Sequence, residues 1–264
     1  MKTKKTKTPP APYCGITGFT DPKQVESVLG FLRENYSLTN SPRLFMIGVL
    51  ASDKSLAGKP SNPNRYPPLE SIKDILPNDA RCLNLVHFNS KATDCSELFS
   101  QLCTVMDAGG ENCHGLQLNI AHPPPSVLCV WKQEFPEGIL VLQCGGTVLN
   151  GITGAGLVEH LQHYSPWIDY VLLDSSGGRG QPINIPLFCH LVQTLVNEGF
   201  GREMGIGVAG GLYEKTIPPL KEIASIYHPL SMDMEGGVRD GKDQMDAEKA
   251  ARSLLAAFQF FDQF

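Results

Sequence analysis

The stretch Val171-Leu-Leu-Asp-Ser-Ser-Gly-Gly-Arg-Gly180 runs from apolar residues to a carboxylate and then into glycines. A continuous apolar run is the pattern of a parallel strand covered on both faces. Asp174 then stands at that strand's carboxyl end, where α/β folds carry their chemistry. A carboxylate there can hold or move a proton. It can equally cap the segment that follows. Gly177, Gly178 and Gly180 permit close backbone approach, and their N–H groups can face an anion. Arg179, inside the same loop, is a further partner for a phosphate.

Three other strand ends carry candidate chemistry. In Cys14-Gly-Ile-Thr17 a thiol precedes a glycine, and a thiol of lowered pKa can act as base or nucleophile. A buried structural cysteine is the plainer reading. In Gly207-Val-Ala-Gly-Gly-Leu212 the pair Gly210 and Gly211 suits a backbone approach to phosphate, or an ordinary tight turn. Asp233-Met-Glu-Gly-Gly-Val-Arg-Asp-Gly-Lys-Asp243 offers Gly236 and Gly237 with Arg239 and Lys242 nearby. Glu235 in that segment would repel a phosphate. Gln117 with Asn119, and His87 with Asn89, also end strand-like runs and can hydrogen-bond a substrate or loop backbone. Arg65, in Asn64-Arg-Tyr66, can clamp a carboxylate. His160 and His163 fall on a helical pattern as surface groups.

The elements that must position these residues alternate along the chain. Strands are expected over residues 13–17, 44–50, 82–88, 115–120, 139–143, 170–173, 204–208 and 230–234. Asp21-Pro22 caps a helix reaching Asn35, with proline at the first helical position. Further helices are expected near 69–76, 95–106, 125–134, 156–164, 185–197, 216–223 and 246–258. Residues 51–68, rich in Gly, Pro, Ser and Asn, read as a long loop. Eight strand–helix units in this length predict a single-domain (β/α)8 TIM barrel over residues 13–264. An open doubly wound sheet is the alternative. Residues 1–12, rich in Lys, Thr and Pro, read as a disordered basic tail with no signal-peptide core.

Composition narrows the function. The 264 residues carry a net charge of -5, with 42% hydrophobic and 19% charged residues. Nucleic-acid binding is not expected from that balance. No apolar window is long enough to cross a membrane as a helix. The eight cysteines form no CxxC pair and no zinc-type spacing. They read as reduced thiols in a cytoplasmic protein. The sequence is silent on oligomeric state.

Cys14-Gly-Ile-Thr17, Leu172-Leu-Asp174 with its Gly-Gly-x-Gly loop, and Ala209-Gly-Gly-Leu212 occur in that order. Together with Leu116-Gln-Leu118 and Gly237-Val-Arg-Asp-Gly-Lys-Asp243, they resemble the phosphoribosylanthranilate isomerase family. The resemblance implies an Amadori rearrangement of a phosphorylated aminosugar in tryptophan synthesis. Asp174 would be the general acid and Cys14 the general base. Phosphate would rest on the backbone at Gly178, Gly180, Gly210, Gly211, Gly236 and Gly237. Gln117 and Arg65 would meet the rest of the substrate, and neither metal nor organic cofactor is implied. The chain departs from the family pattern at Tyr13, where lysine is usual, and at Glu235 and Gly236, where small hydroxyl residues are usual. Residues 51–68 replace a compact loop, and the strand-five lysine has no match. A changed substrate, or a catalytically silent barrel that binds a ligand or partner, is the competing expectation.

Overall fold

Side chains alternate between two apolar environments along each of eight extended segments, and that alternation builds the architecture. The segments are β1 (Tyr13–Thr17), β2 (Leu44–Ser52), β3 (Cys82–Asn89), β4 (Gly115–Asn119), β5 (Ile139–Cys144), β6 (Tyr170–Asp174), β7 (Gly205–Ala209) and β8 (Ser231–Met234). Each pairs in parallel with the next, and β8 closes on β1 through the Cys14–Met232, Gly15–Asp233 and Ile16–Met234 pairs. In this computed structural model, which describes residues 8–59, 62–91, 94–176 and 181–264, the chain is the expected (β/α)8 barrel.

Successive residues of a strand face opposite sides. Tyr13, Met46, Leu85, Val141, Tyr170 and Leu172 pack together inside the barrel. Cys14, Ile47, Val86, Leu142 and Val171 face outward, into the larger core shared with the helices. Because both faces are buried, the strands read as apolar runs rather than as alternating ones. At the amino ends of the strands the Tyr13 and Tyr170 rings meet edge to face, with centroids 5.1 Å apart. Tyr170 Oη donates to the Ala11 carbonyl at 2.6 Å, and Leu44 N to that of Pro12 at 2.9 Å. Residues 11 and 12, expected within the tail, are thus tied to the barrel. Residues 1–7 lie outside the described residues.

The outer helices follow their local signals. Asp21 accepts from Lys23 N at 2.8 Å to start Pro22–Asn35, and Asp246 accepts from Lys249 N at 2.9 Å to start Ala247–Phe261. The segment expected to be loop over 51–68 begins instead with the end of β2 and a helical turn, Asp53–Leu56. Ser52 and Ser55 cap each other there. A second turn, Gly146–Leu149, precedes the expected helix, which spans Gly154–Gln162. No helix of the described residues is long and apolar enough to cross a membrane. All eight cysteines are free thiols.

Trp131, on helix Pro125–Glu134, is wholly buried and stacks against Phe135 at 5.0 Å. Trp131→Ala is expected to cost about 3–5 kcal/mol, because a cavity adds to the lost transfer energy. Urea unfolding will show this as a lowered midpoint at unchanged slope.

Candidate active site

Toward the carboxyl ends of six of the eight strands, the inner face turns polar. Gly15 is followed on the inner face by Thr17, Leu85 by His87, Val141 by Gln143, Leu172 by Asp174 and Ser231 by Asp233. Gln117 joins them from β4. All six of these polar side chains are buried, so each needs a partner.

The partners are mostly one another. Thr17 Oγ1 donates to Asp233 at 2.8 and 3.0 Å. Gln117 Nε2 lies 3.2 Å from Asp233 Oδ2, 3.3 Å from Gln143 Oε1 and 3.3 Å from His87 Nδ1. Gln143 Nε2 donates to Asp174 Oδ2 at 2.8 Å. Ser176 donates to Asp174 Oδ1 from its backbone at 2.8 Å and from its hydroxyl at 2.7 Å. Two carboxyl groups on β6 and β8 are therefore joined across the mouth by two amides. Gly48 on β2 leaves the space for this, since a Cβ there would collide with Thr17 Oγ1.

Burial sets the protonation of this ring. It pushes the Asp233 carboxyl up to about 7, against the donated hydrogen bonds of Thr17 and Gln117 and with help from the charges of Glu235 and Asp174. It holds His87 down at about 4, so the imidazole is neutral at pH 7. A cavity of about 20 Å³ sits above the ring, lined by His87, Gln143, Asp174, Asp233, Glu235 and Gly211, among others. That is room for one water-sized group. A wider cleft of about 1050 Å³ opens over the ends of β3 to β6, lined by Asn89, Asn119, Gln143, Asn150, Ser175 and Asn184, among others. Gln143 borders both spaces.

The sequence candidates are only partly brought together. Asp174 and Gln117 are members of the ring. Cys14 is not: it stands an odd number of residues before Thr17, and so on the opposite face of β1. Its thiol is wholly buried in the outer core, and burial pushes it up to about 12 although Arg43 pulls the other way. The expected Cys14–Asp174 acid–base pair is therefore not assembled.

Gly210 and Gly211 have φ of +134° and +56°, and with Gly236 they line the small cavity. Gly237 packs backbone to backbone, since a Cβ there would collide with the Leu212 carbonyl. Gly178, Arg179 and Gly180 lie outside the described residues.

Arg65 reaches the mouth, but its guanidinium is held by the protein. Nε and Nη2 donate to Asp243 at 2.7–3.0 Å, and Nη1 donates to Glu235. Asp243 adopts a left-handed φ of 61°, which aspartate tolerates. Burial raises Glu235 despite Arg65 and Arg239. Arg239 is buried and holds the backbone, donating to Asn64 O and Asp243 O at 2.9 Å and to Gly18 O at 3.2 Å. Asn89 donates to Tyr66 Oη at 3.3 Å. His163 is exposed, whereas His160 is half-buried against His122 and Tyr164. Thr17, Gln143 and Asp233 were not singled out as site residues by the sequence. Counting by twos from the apolar interior would have found them.

No family model and no curated protein matches the chain. Among solved structures it is similar to the phosphoribosylanthranilate isomerase of Thermus thermophilus. The identity is 15% and the TM-score 0.61, over 95% of this chain and 98% of that one. A monomeric form of the Thermotoga maritima isomerase gives 14% and 0.58, over 93% and 98%. The tryptophan synthase subunit alpha of Legionella pneumophila gives 12% and 0.57, over 96% and 94%. At these identities the likeness shows the (β/α)8 fold alone.

The raised Asp233 carboxyl has a consequence for stability. Its folded value, about 7, lies above the ordinary aspartate value of about 4. Between the two, the folded chain binds a proton that the unfolded chain lacks. This contribution is complete below pH ~4 and is lost as pH rises through about 7. Asp233→Asn is expected to raise the melting temperature by several degrees at pH 8, with a much smaller gain at pH 5. Equal gains by calorimetry at both pH values would contradict the burial of an ionising Asp233.

Proposed function

We propose that this chain is an acid–base isomerase of the aldose–ketose type, acting on a sugar-like substrate other than phosphoribosylanthranilate. The observation that carries the reading is the Asp174–Gln143–Gln117–Asp233 chain across the mouth of the barrel. Such an isomerisation needs two groups that move protons beside one substrate. Asp233, at about 7, is poised to take and return a proton near neutral pH. Asp174 keeps the role implied by the family resemblance, moving the proton on a substrate oxygen. Cys14 has no part in this chemistry.

The substrate differs because the charge at the β7 and β8 ends has changed. Glu235 lines the small cavity with Gly210, Gly211 and Gly236, and Asp174 and Asp233 line it too. A phosphate dianion there would meet carboxylates in a weakly screening environment. Arg65, which would offset that charge, is paired to Glu235 and Asp243. The amide and hydroxyl lining of the wider cleft suits an uncharged, hydroxylated body instead. A second reading, a catalytically silent barrel, is favoured by the Arg65–Glu235 pair and by the small volume left above the ring.

Fluorescence turnover of phosphoribosylanthranilate and of its unphosphorylated N-ribosyl analogue separates these readings. The analogue is expected to have the higher kcat/KM. Asp174→Asn and Asp233→Asn should each lower kcat by about 10²–10⁴, the usual worth of a general acid or base. Cys14→Ala should stay near wild type. The kcat/KM profile should rise with pH through about 7 and lose that limb in Asp233→Asn. Glu235→Gln should shift preference toward the phosphorylated compound. Folded wild-type protein inert toward both would sink the isomerase reading and leave the silent barrel.

A further inference from the structure

His87 is 3% exposed, yet the protein engages only one edge of its ring. Nδ1 faces Gln117 Nε2 at 3.3 Å, while the buried Nε2 has no partner among the described residues. Most buried polar atoms of folded proteins have a partner, so the unpaired Nε2 calls for one.

The amide chain settles which nitrogen carries the proton. The Asp174 carboxylate needs a donor, so Gln143 presents Nε2 to it and Oε1 to Gln117. Gln117 must then present Nε2 to Gln143, to Asp233 and to His87. Reversing either amide would set its oxygen against a carboxylate oxygen. Gln117 Nε2 can only donate, so His87 Nδ1 accepts and the neutral ring carries its hydrogen on Nε2. His87 lines the small cavity with Asp174 and Asp233, and Nε2 is the ring nitrogen that has no partner among the described residues. The other titratable side chains lining it are Asp174, Asp233 and Glu235, which accept when ionised.

We infer that His87 is a catalytic residue whose Nε2–H donates to the substrate oxygen that changes between hydroxyl and carbonyl during isomerisation. The inference rests on the isomerase reading and adds the group that bears charge on oxygen. With an aminoaldose, Asp174 gives its proton to the ring oxygen as the C1–O bond breaks and the nitrogen lone pair forms the C1=N bond. Asp233 takes the C2 proton, the C–H electron pair becomes the C1=C2 bond, and the imine π pair moves to nitrogen. The enol oxygen on C2 then loses its proton to Asp174 while Nε2–H holds the charge that develops on it, Asp233 returns its proton to C1, and the C2 carbonyl forms with no net oxidation. Burial, which keeps the ring neutral, keeps this donor from adding a cation beside Asp233. Gln143 borders both the small cavity and the adjoining cleft, so the reacting carbon and its oxygen would meet these groups from the cleft side.

Two measurements test this. Nitrogen NMR of histidine-labelled wild-type protein at pH 7 should show His87 with a protonated Nε2 and a bare Nδ1. A protonated Nδ1 or an imidazolium overturns the inference, whatever the protein turns over. With N-ribosylanthranilate as substrate, His87→Ala should lower kcat by about 10²–10³, the usual loss for one donor to a developing oxyanion, and move KM little. His87→Gln, which can present an amide N–H, should recover part of that loss. An unchanged kcat, or a loss confined to KM, overturns it. Wild-type protein inert toward the sugar substrates counts against the isomerase reading alone. The His87 inference is then decided by adding excess glycolohydroxamate, a neutral probe with carbonyl and hydroxyl oxygens. A shift of the Nε2 resonance supports it and an unmoved resonance overturns it.

Discussion

Gln117 Nε2 has two hydrogens and three acceptors around it, and the mouth of this barrel is organised by that shortage. Because the amide is buried, water cannot make up the difference, and the acceptors on β3, β5 and β8 must share it. The sharing holds Asp233 toward Gln143, and through Gln143 it orients Asp174. It also fixes which nitrogen of His87 is bare. A closed parallel barrel makes such a ring possible, since it converges the inner residues of its strand ends on one mouth. The same closure makes the ring costly unless its members satisfy one another.

Much of the fold was legible because its signals are local. Apolar runs marked the strands, and Asp21 with Pro22 marked a helix start. The turn Asp53–Leu56 was not legible within a run of Gly, Pro, Ser and Asn, because it depends on the reciprocal Ser52–Ser55 cap rather than on periodicity. The site was legible at Asp174 and Gln117, where a polar residue ends an apolar run on the inner face. It was misread at Cys14, where a motif resemblance outweighed the parity of the strand. Tyr13, Gly15 and Thr17 share one face and Cys14 the other. The partners of Arg65 could not be read at all, since Asp243 lies 178 positions away and only the closed barrel brings them together.

Electrostatically, the β7 and β8 ends enclose an anion that the chain itself supplies. Glu235 lines the small cavity with the glycines, and Arg65 crosses from the segment after β2 to meet it. Asp243 and Arg239 then fasten that crossing to the backbone of the β8 loop. Gly210, Gly211 and Gly236 line a cavity whose charge is supplied by the protein itself. The backbone shape of a binding loop and its electrostatic character thus vary independently, and a motif reports only the first.

The barrel interior is filled by side chains from one end to the polar ring. Tyr13 and Tyr170 stopper the amino end, and the polar ring lies at the other, beneath a space for a single water-sized group. A hydrogen lifted from a substrate carbon onto Asp233 would have almost no solvent with which to trade places. A deuterium placed on that carbon would therefore reappear on its neighbour within the same molecule, and little would wash out into the medium. That enclosure would give the proposed reaction an isotopic memory.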